Sequence, residues 1–171
     1  ISISPASMLA YVTEILQEIV RCGILRIVAL NAHSENQYFL RLAAETVAAK
    51  RPGASVLIVN WWKLIPSMRD GATGEPFFSQ NDGHGHGGPL EISSAAALSH
   101  AGVDPSAAKD IDYESLWWRG AAQIVGAGQA PAGWQGYHGR VSEIDVDKGR
   151  ELIDVCVARL GELIEGWLRR I

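Results

Sequence analysis

Ile24-Leu25-Arg26-Ile27-Val28-Ala29-Leu30, followed at once by Asn31-Ala32-His33-Ser34-Glu35-Asn36, is the stretch on which the fold turns. The first part is apolar except for Arg26 and reads as a strand covered on both faces. Upstream, Ser4-Pro5 reads as an N-cap and first helical residue. Met8, Leu9, Val12, Ile15, Leu16, Ile19 and Val20 then recur at helical spacing until Gly23 stops the helix. Downstream, a second helix is expected from about Asn36 to Lys50, with Phe39, Leu40, Leu42, Ala43 and Val47 inward. Arg51-Pro52-Gly53 breaks it, and Ser55-Val56-Leu57-Ile58-Val59-Asn60 reads as a second short buried strand. The order helix, strand, helix, strand predicts a right-handed βαβ crossover in an α/β fold. Two strands alone make no stable sheet, so neighbours are expected from later in the chain or from a separate part.

That placement gives the polar residues after the first strand their interest. A buried strand delivers an imidazole and a carboxylate to its own C-terminal mouth, where open parallel sheets bind ligands. His and Glu hold transition metals and move protons. His33 and Glu35 are two apart, so on an extended segment they point the same way. The bland alternative is a loop histidine beside a helix-capping Glu. Trp61-Trp62, after the second strand, lie at the same presumed mouth and could wall a small planar ligand or simply pack under a loop.

The 171 residues are 47% hydrophobic and 20% charged, enough for one domain with a sizeable core. Net charge is -4 with no basic stripe, which argues against nucleic acid as a partner. No apolar run approaches the ~18 residues of a membrane span, and no signal peptide is visible. Cys22 and Cys156 sit in helical patterns and read as core residues rather than a disulfide, which suits a reducing, cytoplasmic setting.

From Trp61 to Gly88 the pattern loosens into a long glycine-bearing loop, of the kind that is functional or mobile in compact domains. It ends in His84-Gly85-His86-Gly87-Gly88-Pro89-Leu90-Glu91. His86 stands just before a helix expected from Pro89 to about His100, with Glu91 in its first turns. A histidine there can serve as general acid or base. His84 and His86 also form an H-x-H pair, and the glycines let backbone approach a ligand. The bland reading is a flexible loop that does nothing. Residues 103 to 142 are irregular, with one strand suggested near Gln123-Ile124-Val125. Trp117, Trp118, Trp134 and Trp167 read as core or subunit contacts. An amphipathic helix is expected from Asp145 to Ile171, its stripe formed by Leu152, Ile153, Cys156, Leu160, Leu163, Ile164, Trp167 and Leu168. Ser93, Ser94 and Ser142 lack the G-x-S-x-G setting of a hydrolase nucleophile. No G-x-G-x-x-G or Walker A pattern is present.

These pieces, in this order, resemble the C-terminal part of the creatininase (creatinine amidohydrolase) family. The family shows Asn-Gly-His-x-x-Asn at a strand end, here Asn31-Ala32-His33-Ser34-Glu35-Asn36. It then shows His-[Ala/Gly]-Gly-x-x-Glu-Thr-Ser opening a helix, here His86-Gly87-Gly88-Pro89-Leu90-Glu91-Ile92-Ser93. A glycine-rich turn leads to the last helix, here Gly136-Tyr137-His138-Gly139 and Asp147-Lys148-Gly149-Arg150. The resemblance implies a three-layer α/β/α fold around a parallel-rich sheet, with this chain as a single domain, residues 1–171, that lacks the N-terminal half. It implies hydrolysis of a C–N bond in a small cyclic amide, in the cytoplasm, with two divalent ions (Zn and/or Mn, or Fe). His33 and Glu35 would each ligate one ion, and a water acidified between the ions would attack the carbonyl. His86 would relay the proton to the leaving nitrogen, Glu91 would orient the site from behind, and Trp62 would line the substrate pocket.

Two departures matter. The family's other ligands, a Glu-x-His and a following Asp, precede the strand, and nothing before His33 matches them. An N-terminal fragment or second subunit is therefore expected to supply them, within an oligomer. The chain begins at Ile1, which suggests cleavage from a longer precursor whose pieces stay associated. Asn81-Asp82-Gly83 stand where creatininase carries a second pocket Trp, which points away from creatinine itself as substrate. The rival reading is a non-catalytic structural or regulatory subunit of the same fold. A further one is a sugar or nucleotide binder indifferent to chelators.

Overall fold

The structure, a computed structural model, describes residues 3–99, 104–112 and 135–170. It divides into two compact units, Ile1–Leu64 with Arg159–Ile171, and Ile65–Ala158. The sequence expectations at Gln123-Ile124-Val125, Trp117, Trp118 and Trp134 lie outside the described residues.

The first unit is the α/β part. Helix α1 spans Pro5–Arg21, with Ser4 as N-cap accepting the Ser7 N–H at 3.1 Å and Pro5 at the first position. Strand β1 is Arg26–Asn31, helix α2 is Asn36–Lys50 and strand β2 is Ser55–Asn60. The strands pair in parallel, Arg26 opposite Ser55 through Asn31 opposite Asn60. Leu16 and Val20 from α1, Ile27 from β1, and Ala43 and Val47 from α2 form the buried core, with Leu25, Ala54 and Val56 packed on it. Both helices thus cover the sheet face that carries Ile27 and Val56.

The other face differs from the sequence reading. Val28 is 38% and Leu30 55% exposed, so β1 is covered on one face only. Strand side chains alternate, and α1 and α2 reach only one set of them. Leu42, expected inward, is also exposed, as is Ile15 of the apolar repeat in α1, because the buried faces of α1 and α2 centre on Leu16/Val20 and Ala43/Val47. Cys22 is exposed at the C-cap of α1, past the last buried turn, and Cys156 is half-buried; the two are not joined by a disulfide.

The second unit is built on helix α3, Pro89–Leu98, and the start of helix α4, Val146–Leu168. Leu90 and Leu152 are each 1% exposed and Ser93 is fully buried. Gly149 of α4 sits directly on the Ser93 backbone carbonyl, where a Cβ does not fit. The Ser93 hydroxyl accepts the Asp145 N–H at 3.0 Å, which caps the start of α4 with a residue from α3. The stretch expected to be loose is cross-tied. Asp70 accepts N–H groups from Ala72 and Thr73, Arg69 pairs with Pro76 as a β-bridge, and Glu143 binds Ser79. Lys148 donates to the Phe77 carbonyl at 2.6 Å, beside the rings of Phe77 and Phe78. Among the described residues no helix is long and apolar enough to cross a membrane.

Candidate active site

The mouth of β1 is organised by amides. Asn31 ends β1 and is 2% exposed. Its Nδ2 donates to Asn60 Oδ1 at 2.7 Å, across the last rung of the sheet. Asn60 Nδ2 in turn donates to Gln37 Oε1 at 3.4 Å, in the first turn of α2. The remaining Asn31 acceptor, Oδ1, takes the His33 N–H at 3.2 Å. A buried primary amide is thereby satisfied at both ends, and an Asx turn carries the chain out of the strand. Sequence reasoning missed Asn60 and Gln37. The legible signal was an Asn closing each of two buried strands.

His33 and Glu35 follow this turn, and both are exposed. They do not lie on an extended segment, which corrects that part of the sequence reading. The chain is already coiling into α2. Asn36 N–H donates to the His33 carbonyl at 3.1 Å and Gln37 N–H to the Ser34 carbonyl at 3.3 Å. Glu35 itself has helical angles, φ −67° and ψ −27°, and its carboxylate makes no cap hydrogen bond. Glu35 thus stands at the N-terminus of α2, where the helix dipole favours a carboxylate, without a side-chain cap hydrogen bond. Its backbone N–H donates to His33 Nδ1 at 3.3 Å, which links the two residues directly. At the end of β2, Trp61–Lys63 turn in one 3-10 coil, which leaves Trp62 half-buried at the same end of the strand pair.

In the second unit, His84 to Glu91 form a rigid approach to α3. The His86 carbonyl accepts the His138 N–H at 2.8 Å, and Gly88 N–H donates to Gly85 at 3.0 Å. Glu91 Oε2 accepts the Gly87 N–H at 2.9 Å, so its carboxylate holds the residue next to His86. The glycines make room for the chain itself. A Cβ at Gly85 would lie 3.2 Å from that of His138, and one at Gly87 2.9 Å from that of Tyr137. Gly87 also has φ +61°, which favours glycine. His84 donates its N–H to Asn81 at 2.9 Å and accepts from Asn81 Nδ2 at 3.1 Å.

The model of the creatininase family, described as creatinine amidohydrolase, matches residues 1–164. The chain belongs to this family. Its fold is that of solved creatininases. A Mn form of creatininase superposes with TM-score 0.74 at 22% identity, covering 97% of this chain and 65% of that one. A Zn-Zn form of a creatininase variant gives the same figures, 0.74, 22%, 97% and 65%. A variant complexed with creatine gives TM-score 0.75 at 22% identity, covering 97% of this chain and 66% of that chain. The creatininase-family chain thus spans about 65% of the length of these structures. No curated protein matches it.

The donor chemistry of this family member suits a borderline divalent cation only in part. An imidazole and a carboxylate in adjacent turns are the N and O ligands that Zn or Mn accepts. A neutral imidazole that binds a cation through Nε2 carries its proton on Nδ1. Binding through either ring nitrogen therefore requires the long Glu35 N–H to Nδ1 contact to give way. Structural and catalytic metal sites use three or more protein ligands. Among the described residues no group of three or more His, Cys, Asp or Glu side chains comes together. His33 and Glu35 by themselves offer two side chains of ligand type.

Proposed function

We propose that this chain is the part of a metal-dependent amidohydrolase that contributes His33 and Glu35 as metal ligands. The carrying observation is their position. An imidazole and an unengaged carboxylate follow a parallel strand in a fold shared with Mn and Zn-Zn creatininases. The substrate class is a C–N bond in a small cyclic amide or related amide. Two divalent ions, when bound, supply a water acidic enough to attack a carbonyl near neutral pH. The chain's own residues do the rest. Trp62 offers an aromatic wall for a planar ligand. His86 carries a proton toward the leaving nitrogen. Glu91 fixes the backbone beside His86 by accepting the Gly87 N–H.

Two donors do not complete a site, and among the described residues no third joins them, which supports a reading in which an N-terminal polypeptide or second subunit supplies the other ligands. The open face of β1, with Val28 and Leu30 exposed, supports such a partner, since parallel strands are normally covered on both faces. The same donor count favours a second reading, in which the chain is a non-catalytic structural or regulatory subunit. Elemental analysis and mass spectrometry of everything that copurifies test both. The enzyme reading expects about two divalent ions per complete site, lost with amide hydrolysis in His33→Ala. Metal and activity unchanged in that variant would leave the structural reading.

A further inference from the structure

The last rung of the sheet is polar although it is closed to solvent on one side. Asn31 and Asn60 are register partners there, and Asn31 is 2% exposed. The rungs before it are Ala29 with Ile58 and Leu30 with Val59, all apolar. A buried amide left unpaired costs about 1–3 kcal/mol, so an apolar residue would be the simpler choice for stability alone. What the amide adds is direction. Asn31 has one donor end and one acceptor end. With Nδ2 engaged by Asn60 Oδ1 at 2.7 Å, the acceptor end must face the loop, where it holds the His33 N–H at 3.2 Å. Asn60 Nδ2 reaches Gln37 Oε1 at 3.4 Å, which joins the same chain of amides to the helix that Glu35 opens.

We infer that Asn60 is a positioning residue for the proposed metal site. By accepting from Asn31 it fixes the amide orientation that holds the turn carrying His33 and Glu35. The purpose of this device rests on the function proposed above, whereas its geometry does not. The acceptor atom of Asn60 is the essential part. An aspartate there keeps it, and a leucine, with the same branched skeleton, removes it.

The test uses the whole chain and two readouts, backbone order by 15N relaxation and broadening of the His33 ring and Glu35 signals by added Mn2+ alone. In the native chain, residues 32–35 should show order parameters of about 0.85. Asn60→Leu should drop them below about 0.6 while α1 and α2 stay ordered. It should also raise the Mn2+ concentration for half-broadening ~10- to 100-fold. Asn60→Asp should keep native order and a midpoint at or below the native one. Native order and midpoint in Asn60→Leu overturn the inference, as does an Asn60→Asp variant as loose as the leucine. If Asn60→Leu does not fold, Asn60→Ser, too short to reach Asn31 Nδ2, carries the same comparison. Absence of Mn2+ broadening in the native chain would remove the metal reading. The order parameters would still decide whether Asn60 positions the turn.

Discussion

The two segments that carry the candidate residues are held by opposite means. At the mouth of β1 the clamp is made of side chains, Asn31 to Asn60 to Gln37, with Asn31 also on the His33 N–H. Around His86 the clamp is mainly close packing onto glycines, beside the His138 N–H to His86 carbonyl bond and the Glu91 carboxylate on the Gly87 N–H. Gly85 lies on His138, Gly87 on Tyr137, and a Cβ at Gly88 would come within 2.7 Å of the Gly83 carbonyl oxygen. The first arrangement fails when an atom is removed. The second fails when an atom is added. Polar identity is therefore the sensitive variable in one segment and side-chain volume in the other.

The largest effect is expected from adding a methyl group to the glycine-packed unit. In Gly149→Ala the new Cβ overlaps the Ser93 carbonyl oxygen, lies 2.5 Å from its carbon and 3.1 Å from Ala97 Cβ. Backbone cannot step aside as a long side chain can, so α3 and α4 must part. A loss of about 3 kcal/mol or more is expected, read as a lower urea midpoint at unchanged slope. Gly161 is the control in the same helix, with nothing within 4 Å of its Cβ position. Gly161→Ala should stabilise by about 0.5–1 kcal/mol. Similar shifts in both variants would mean that Gly149 does not touch Ser93.

Subtraction should tell on the amide-clamped side. Asn31→Ala leaves Asn60 Oδ1 and the His33 N–H without their partner, at an expected cost of about 1–3 kcal/mol. His33→Ala removes an exposed ring and should change stability by no more than about 0.5 kcal/mol. Equal melting curves for native chain and Asn31→Ala would show that the clamp contributes nothing. A smaller subtraction exists in the other unit. Glu91→Ala removes the acceptor of the Gly87 N–H and should cost about 1 kcal/mol. Glu91→Gln, which keeps an oxygen in place, should recover most of it in the same denaturation series.

The same contrast explains what could be read in advance. The βαβ unit was legible because its signals are local. Ser4-Pro5 starts α1, the apolar runs end at Asn31 and Asn60, and Arg51-Pro52-Gly53 stops α2. The pairing of Asn31 with Asn60 was not legible. It joins residues 29 apart, and only the parallel register brings them to one rung. The angle between His33 and Glu35 was lost for a different reason. Whether α2 begins before or after Glu35 depends on the Asx turn, and sequence spacing alone does not fix that. The glycines near His86 suggested room for a ligand, but their neighbours Tyr137 and His138 lie about fifty residues on. The open face of β1 follows from which helices arrive to cover it, a property of the assembled chain.

The mildest way to probe the contrast is acid. Asp110 faces Ser142, accepting its hydroxyl at 2.6 Å and its N–H at 2.9 Å. The Ser142 hydroxyl bond is the main cause that holds the Asp110 carboxyl below its ordinary value, the Ser142 N–H adds to it, and burial opposes both. Next to it, Ile111 bridges Gly139, on the segment against which the His86 backbone rests. Because the folded value is depressed, the unfolded chain takes up the proton first as pH falls. The stabilising contribution is thus full above about pH 4, the ordinary aspartate range, and is lost as pH falls through the folded value. Asp110→Asn should lower the melting temperature of the chain at pH 7. The gap between variant and native protein should then close as acid protonates the native carboxyl. Asp110 is exposed, so the shift should be the smallest of the set. A gap that stays constant down to acid pH would mean that the asparagine acts by shape rather than by charge. The glycine-packed segment near His86 would then owe nothing to this carboxylate.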